Sequence, residues 1–241
     1  TGFDEGTGFQ NVGSTIGTCW DRNVAAGYHW GGGTGGTPSG GTGPTADHTS
    51  GTGDYVYVEA SGGGGTPADA ILISTQIDLT PLTTPELSFW YHMDGNNMGD
   101  LDVEVNNGSG WTNVFTKSGS QGGAWLEAIV SLSTYVNDTI EVRFIGGKAT
   151  GAGNFAGDIA IDDLNIDEAP NCPKPSALSV TNINATTATL AWTTGGATNW
   201  NVEYGAVGFI PGSGTQISVT ANPFVVTGLT PATSYDFYVR D

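Results

Sequence analysis

Apolar and polar positions alternate in short runs along this chain. Tyr55 to Glu59, Ala70 to Ser74, Leu87 to Met93, Leu101 to Val105, Ile140 to Phe144 and Ile159 to Ile166 each place apolar side chains on one side with period two. That is the period of a half-buried strand. Turn signals such as Asn107-Gly108 and Gly146-Gly147 separate the runs, and glycine, threonine and asparagine recur too often for an ordinary helix. The pattern predicts an all-β chain of antiparallel sheets, a sandwich or barrel. The run Gly31-Gly32-Gly33-Thr34-Gly35-Gly36 is expected to be a flexible loop. With no buried strand before it and no helix after it, it is not a phosphate cradle.

A boundary is expected at Ala169-Pro170-Asn171-Cys172-Pro173-Lys174-Pro175, where three prolines in six residues exclude helix and interior strand. The organisation predicted is a first domain over 1–168, a linker over 169–175 and a second domain over 176–241. Beyond the linker, strands are expected at Ala177 to Val180, Thr189 to Thr193, Trp200 to Tyr204, Ile217 to Val219, Phe224 to Val226 and Tyr235 to Arg240. The Pro-Ser-x-Leu opening from Pro175, the early Trp192 and the series Leu229-Thr230-Pro231-Ala232-Thr233-Ser234-Tyr235 resemble a fibronectin type III domain. That resemblance implies a small immunoglobulin-like sandwich in which Tyr235 hydrogen-bonds back to the loop before it. Only six strands are predicted, so the last edge strand of such a domain is expected to be missing.

Four segments of the first part are similar, taken together, to one family. They are Gly2-Phe3-Asp4-Glu5-Gly6, the stretch from Thr42 through Asp47-His48-Thr49 to Ala60, Ser88 to Gly95, and Gly157-Asp158-Ile159-Ala160-Ile161-Asp162-Asp163-Leu164. Their order and spacing resemble a MAM domain. The resemblance implies a jelly-roll sandwich, extracellular placement and a non-catalytic role in adhesion or recognition. Family members usually carry four cysteines, and here only Cys19 lies inside the domain. The family's disulfides therefore cannot form.

The carboxylates give a metal reading. Calcium takes six to eight hard oxygen ligands, commonly from loops that the fold brings together. The first and last strands of a jelly roll are neighbours, so Asp4 or Glu5 can meet Asp158, Asp162 or Asp163, and Asp47 sits among turn residues that can complete the cluster. Ile159 and Ile161 share one face of their strand, Leu164 and Ile166 the other. The apolar phase therefore slips at Asp162-Asp163, which predicts a bulge that re-aims a side chain. Asp162 is favoured as the ligand and Asp163 is expected to stay exposed. The expected calcium set is Asp4, Glu5, Asp47, Asp158 and Asp162. The loop Asp94 to Asp100 is not a calcium loop, because Met98 supplies no oxygen at the third ligand position.

Asp100, Asp102 and Glu104 share one side of a strand, a series found in jelly-roll glycosidases whose two carboxyls stand about 5 to 5.5 Å apart. The immediate turn at Asn106-Asn107-Gly108 favours a solvent face instead, and no His-Glu-x-x-His, Gly-x-Ser-x-Gly or local Cys-His arrangement is present. The fragment is read as non-enzymatic. Trp90 and His92 alternate with Phe89 and Tyr91, so one pair faces away from the core. If Trp90 and His92 line an open face near Asp102 and Glu104, the four form an aromatic and acidic platform for sugar rings. Trp20, Trp30, Trp111 and Trp125 lie near turns and are further platform candidates.

Composition narrows the partners. With 24 acidic and 6 basic side chains among 241 residues, the formal net charge is -18. A chain this acidic is repelled by nucleic acid and anionic lipid. Residues 1–171 hold 21 of the acids against 4 basic residues, leaving -17 there and -1 on 172–241. The 37% hydrophobic content, with 7 Trp, 8 Tyr and 9 Phe, is ample for a folded core. No run of 18 apolar residues exists, so membrane insertion is not expected. The chain opens at Thr1 with no signal segment and is read as a mature form or excised piece. Cys19 and Cys172 allow one internal disulfide, or Cys172 pairs beyond the chain. Sequons at Asn107, Asn137 and Asn184 fit a secreted protein. The partner expected is a glycan, or else a cell-surface protein in an adhesion pairing.

Overall fold

A computed structural model describes residues 19–22, 28–61, 69–149, 156–170 and 173–241. Asp4, Glu5 and Cys172 lie outside the described residues. Two compact units divide the chain, Thr1–Ala169 and Pro170–Asp241.

In the first unit the alternating runs become strands because each can bury one set of side chains while the backbone pairs laterally. In chain order these are β1 (Trp20–Arg22), β2 (Trp30–Thr34), β3 (Asp54–Val58), β4 (Asp69–Ser74), β5 (Ile77–Asp78), β6 (Pro85–Met93), β7 (Asp100–Asn106), β8 (Trp111–Ser118), β9 (Gly122–Ser131), β10 (Thr139–Gly147) and β11 (Ile159–Glu168). One sheet runs β1-β4-β10-β7-β8 with β5 also on β10, and the other runs β2-β3-β11-β6-β9. Leu72, Leu101, Val103, Val142 and Phe144 of the first sheet share one core with Val56, Val58, Phe89, Ile159 and Ile161 of the second. Phe89 meets Phe144 edge to face across it, with ring centroids 5.1 Å apart. The result is an antiparallel sandwich with two opposite outward faces.

Three local features refine the sequence reading. The glycine run is not a loop: Gly31 to Gly33 lie in β2 and pair with β3. A Cβ on Gly33 would come within 2.9 Å of the Tyr57 ring, so the missing side chain lets that ring lie across the strand. The apolar slip at Asp162-Asp163 is a register shift in the β11–β6 pairing between Asp162 and Asn165, and Asp163 takes a positive φ of 47°. β8 and β9, absent from the sequence reading, are edge strands, where one-sided pairing and partial solvation weaken the alternation.

The second unit holds β12 (Ser176–Thr181), β13 (Thr187–Thr193), β14 (Trp200–Ala206), β15 (Thr215–Val219), β16 (Phe224–Thr227) and β17 (Tyr235–Arg240). Its sheets are ordered β12-β13-β16 and β15-β14-β17. Leu190, Trp192, Trp200, Val202 and Val226 form its core. The Tyr235 hydroxyl accepts a hydrogen bond from the Thr230 amide at 3.0 Å, the backward tie expected of that tyrosine. No helix among the described residues is long and apolar enough to cross a membrane.

Candidate functional site

Strand alternation decides which side chains leave the core. On β6, Phe89 and Tyr91 join the core, so Trp90 and His92 point outward from the β2-β3-β11-β6-β9 sheet. On the neighbouring strands Tyr55, Tyr57 and Glu59 point the same way, as do Asp158, Ala160 and Asp162; Ala160 pairs with His92 and Asp162 with Trp90. This face is not open. Residues 35–53 cross it and are fastened at several points. The His48 ring stacks on Trp90 with centroids 3.6 Å apart, and the His48 amide donates to Asp162 Oδ2 at 2.8 Å. Trp125 Nε1 donates to the Ala46 carbonyl at 3.1 Å. His92 is thereby left 3% exposed.

Asp163 is not left exposed either. Its carboxylate takes His48 Nδ1 at 2.7 Å and the Thr49 hydroxyl. Its left-handed backbone at the bulge turns the side chain toward the crossing loop, which is what a bulge does to the residue it displaces.

The carboxylates under this loop differ in their surroundings. Asp47 Oδ2 accepts from the Ser50 amide at 2.8 Å and Oδ1 from the Gly53 amide at 2.7 Å. Burial acts to raise the Asp47 pKa, but those amide bonds outweigh it and hold the carboxyl below its ordinary value. Asp158 is fully buried. Its Oδ1 accepts from the Ala60 amide at 2.8 Å, while Oδ2 makes no hydrogen bond among the described residues. Burial pushes its pKa up to about 6, with the Glu59 charge adding and the Ala60 amide opposing. Glu59 in turn has a buried Oε2 with no hydrogen-bond partner among them. Asp162 is also pushed to about 6, first by burial and further by the charges of Asp163 and Asp47, against the amides of His48 and Asp163.

Of the expected calcium ligands, three share one face without converging. Asp47, Asp158 and Asp162 lie along one loop-covered face, and Asp4 and Glu5 fall outside the described residues. Among the described residues, no group of three or more His, Cys, Asp or Glu closes to metal-holding geometry. The feature that fits a cation is the fully buried Asp158 Oδ2, without a hydrogen bond among the described residues, beside the buried Glu59 carboxyl.

The expected sugar platform divides. Leu101, Val103 and Val105 of β7 are core residues, so Asp102 and Glu104 point outward from the other sheet. They lie on the opposite side of the sandwich from Trp90 and His92. There Glu104 accepts from Arg143 Nε at 2.6 Å, and the Arg143 guanidinium lies 4.2 Å from the Trp111 ring centroid. Asp102 Oδ1 accepts from Asn113 Nδ2 at 3.0 Å and the Thr116 hydroxyl at 2.5 Å. Sequence reasoning passed over Arg143, Asn113 and Thr116, whose only signal was their outward phase on paired strands. Of the other tryptophans, Trp30 is fully buried and Trp20 is 9% exposed, so neither is a platform. Cys19 is exposed and makes no disulfide among the described residues; Cys172 lies outside them.

Comparison with known proteins matches this architecture. The MAM domain, meprin/A5/mu model covers residues 2–173, and the fibronectin type III domain model covers 173–241. Neuropilin-1a of Danio rerio is 35% identical over 150 residues, which are 58% of this chain and 15% of that protein. MAM domain-containing glycosylphosphatidylinositol anchor protein 1 of Gallus gallus is 35% identical over 138 residues, 55% of this chain and 14% of that protein. The chain thus corresponds to about a seventh of each relative's length. Among solved structures, the K1 cleaved adhesin domain of Lys-gingipain from Porphyromonas gingivalis W83 is 23% identical, with a TM-score of 0.45, covering 64% of this chain and 94% of that one. The chain belongs to the MAM domain family and continues into a fibronectin type III domain, a pairing that indicates an extracellular adhesion or recognition module.

Proposed function

We propose that this chain is a non-catalytic carbohydrate-recognition module of a larger secreted or cell-surface protein, stabilised by calcium. The observation that carries the reading is the outward-facing Trp111 indole beside the fixed carboxylates of Asp102 and Glu104. Indoles offer flat apolar area to sugar rings, and carboxylates accept from hydroxyls. The non-catalytic reading is supported by the engagement of both carboxylates on this face, Asp102 by Asn113 and Thr116 and Glu104 by Arg143.

Calcium supports the recognition fold rather than taking part in chemistry. Asp158 would hold it together with Asp4 and Glu5 from the start of the chain; Asp162 stands four residues farther along extended backbone, about 13 Å away, and with Asp47 acts on the ion only through its charge. The ion would supply the positive charge that the buried Asp158 and Glu59 carboxyls lack. Affinity gel electrophoresis in neutral and acidic polysaccharides tests the ligand class. Retardation in a neutral gel is the expected result; no retardation in any gel would favour a protein partner in an adhesion pairing. Thermal melting with calcium and with a chelator tests the ion, and at a hundredfold excess over its dissociation constant roughly 2.7 kcal/mol of stabilisation is expected. An unchanged midpoint would remove calcium from the account.

A further inference from the structure

We infer that the sugar-contacting surface is the outward face of β7, β8 and β10, built around Trp111, and that its ligand is a neutral polysaccharide chain; this rests on the carbohydrate reading above. Two outward faces carry indoles, all of them half-buried, and they differ in what covers them: a crossing loop on one, the Arg143 side chain of the same sheet on the other. Around Trp90 the ring is already stacked on His48, His92 is 3% exposed, and Trp125 is tied to the crossing loop. A sugar reaching Trp90 would first have to displace His48 and break the His48–Asp162 and His48–Asp163 bonds. On the opposite face Asn113 and Thr116 are exposed, and Trp111, Asp102, Glu104 and Arg143 are half-buried.

The Trp111 face is also preorganised. Register places Trp111 opposite Asn106, Asn113 opposite Glu104 and Thr116 opposite Asp102 across β7–β8, and Arg143 opposite Glu104 across β10–β7. Glu104 fixes the guanidinium, and the guanidinium braces the indole. Asn113 and Thr116 fix the Asp102 carboxylate. A hydroxyl-rich ligand meets charged acceptors and donors whose rotamers are already set, so little side-chain freedom is lost on binding. The charge on this face selects the ligand. Asp102, Glu104 and Glu141 outnumber Arg143, and the whole unit is strongly acidic, so uronic or sulfated chains are repelled and uncharged sugars are not.

The test uses the full chain in gels containing galactan, mannan, xylan or β-glucan, comparing wild type with Trp111→Ala, Asp102→Asn and Trp90→Ala. Circular dichroism and melting establish that each variant is folded. Because Trp111 and Asp102 both lie outside the core, the second variant serves if the first does not fold. In the gel that retards wild type, Trp111→Ala and Asp102→Asn are expected to weaken binding about tenfold or more, with Trp90→Ala retarded like wild type. Retardation that survives both changes on the β7–β8–β10 face, or that is lost in a folded Trp90→Ala protein, overturns the assignment while leaving carbohydrate recognition standing. A wild-type protein that passes unretarded through every neutral gel overturns the recognition reading itself.

Discussion

Asp158 and Asp162 are carboxyls placed where charge is poorly solvated, and their pKa values move from 3.8 to about 6. A folded-state pKa raised above the unfolded one means that the native protein binds more protons between those two values. In the absence of metal, stability should therefore rise as pH falls from about 7 through 6, and level off near 4. Each carboxyl contributes at most about 3 kcal/mol to that rise. The expected outcome is a melting midpoint in chelator that climbs on acidification from pH 7 to pH 5, and a smaller climb in Asp158→Asn. With saturating calcium the trend should reverse, because protons then compete with the ion. A chelated protein whose midpoint falls steadily over that range would show that the two carboxyls are not destabilised by burial. A second residue-scale expectation concerns Gly43, which has φ of 68° and stands where a Cβ would lie 2.4 Å from Thr37 Oγ1 and 3.1 Å from Asp158 Cβ. Gly43→Ala combines a left-handed backbone with that clash and should cost about 2 kcal/mol, read as a lowered urea midpoint. At this scale the bulge at Asp162-Asp163 was legible, since a slipped apolar phase appears directly in the residues. The stack of His48 on Trp90 was not: it joins positions 42 residues apart through an irregular loop with no periodicity to read.

At the scale of strands, alternation decides both stability and access. Phe89 and Trp90 are adjacent on β6, yet Phe89 is fully buried against Phe144 and Phe115 while Trp90 stands on the outward face. Phe89→Ala should destabilise the domain by about 3 to 5 kcal/mol, as truncation of a core aromatic leaves a cavity. Trp111→Ala, on the outward face of β8, should cost much less, and equilibrium denaturation of the two variants measures the difference. Equal losses would contradict the inward and outward phases assigned to β6 and β8. The interior strands β3, β4, β6, β7, β10 and β11 were legible because both neighbours and the core constrain them. The glycines of β2 were not, because a strand whose side chains are absent carries no pattern. Their purpose appears only once Tyr57 is seen lying where the Gly33 side chain would have been. The platform of Trp90, His92, Asp102 and Glu104 failed for a related reason. Alternation says that a residue leaves the core, but which of two sheets it belongs to depends on the order in which strands pair.

For the whole molecule, the -18 charge is a property of one unit. Residues 1–171 carry 21 acids against 4 basic side chains, whereas 172–241 carry 3 against 2. The two units have separate hydrophobic cores, so each should unfold with its own transition. Self-repulsion acts against the compact state, and salt screens it over a distance of about 10 Å at 0.1 M. Raising sodium chloride from about 0.02 to 0.3 M in chelator should therefore raise the melting midpoint of the first unit by several degrees. The second unit should barely respond. Calorimetry of the full chain at the two salt concentrations reads both transitions at once. If they shifted together, the excess charge would not be what limits the first unit's stability. If only the acidic unit responded, a smaller response after calcium saturation would follow, because a bound divalent ion removes part of the same repulsion that salt screens. That coupling between salt and calcium distinguishes an ion seated at the buried Asp158 carboxyl from one held loosely by the general negative field. Only the seated ion would also abolish the rise in stability on acidification.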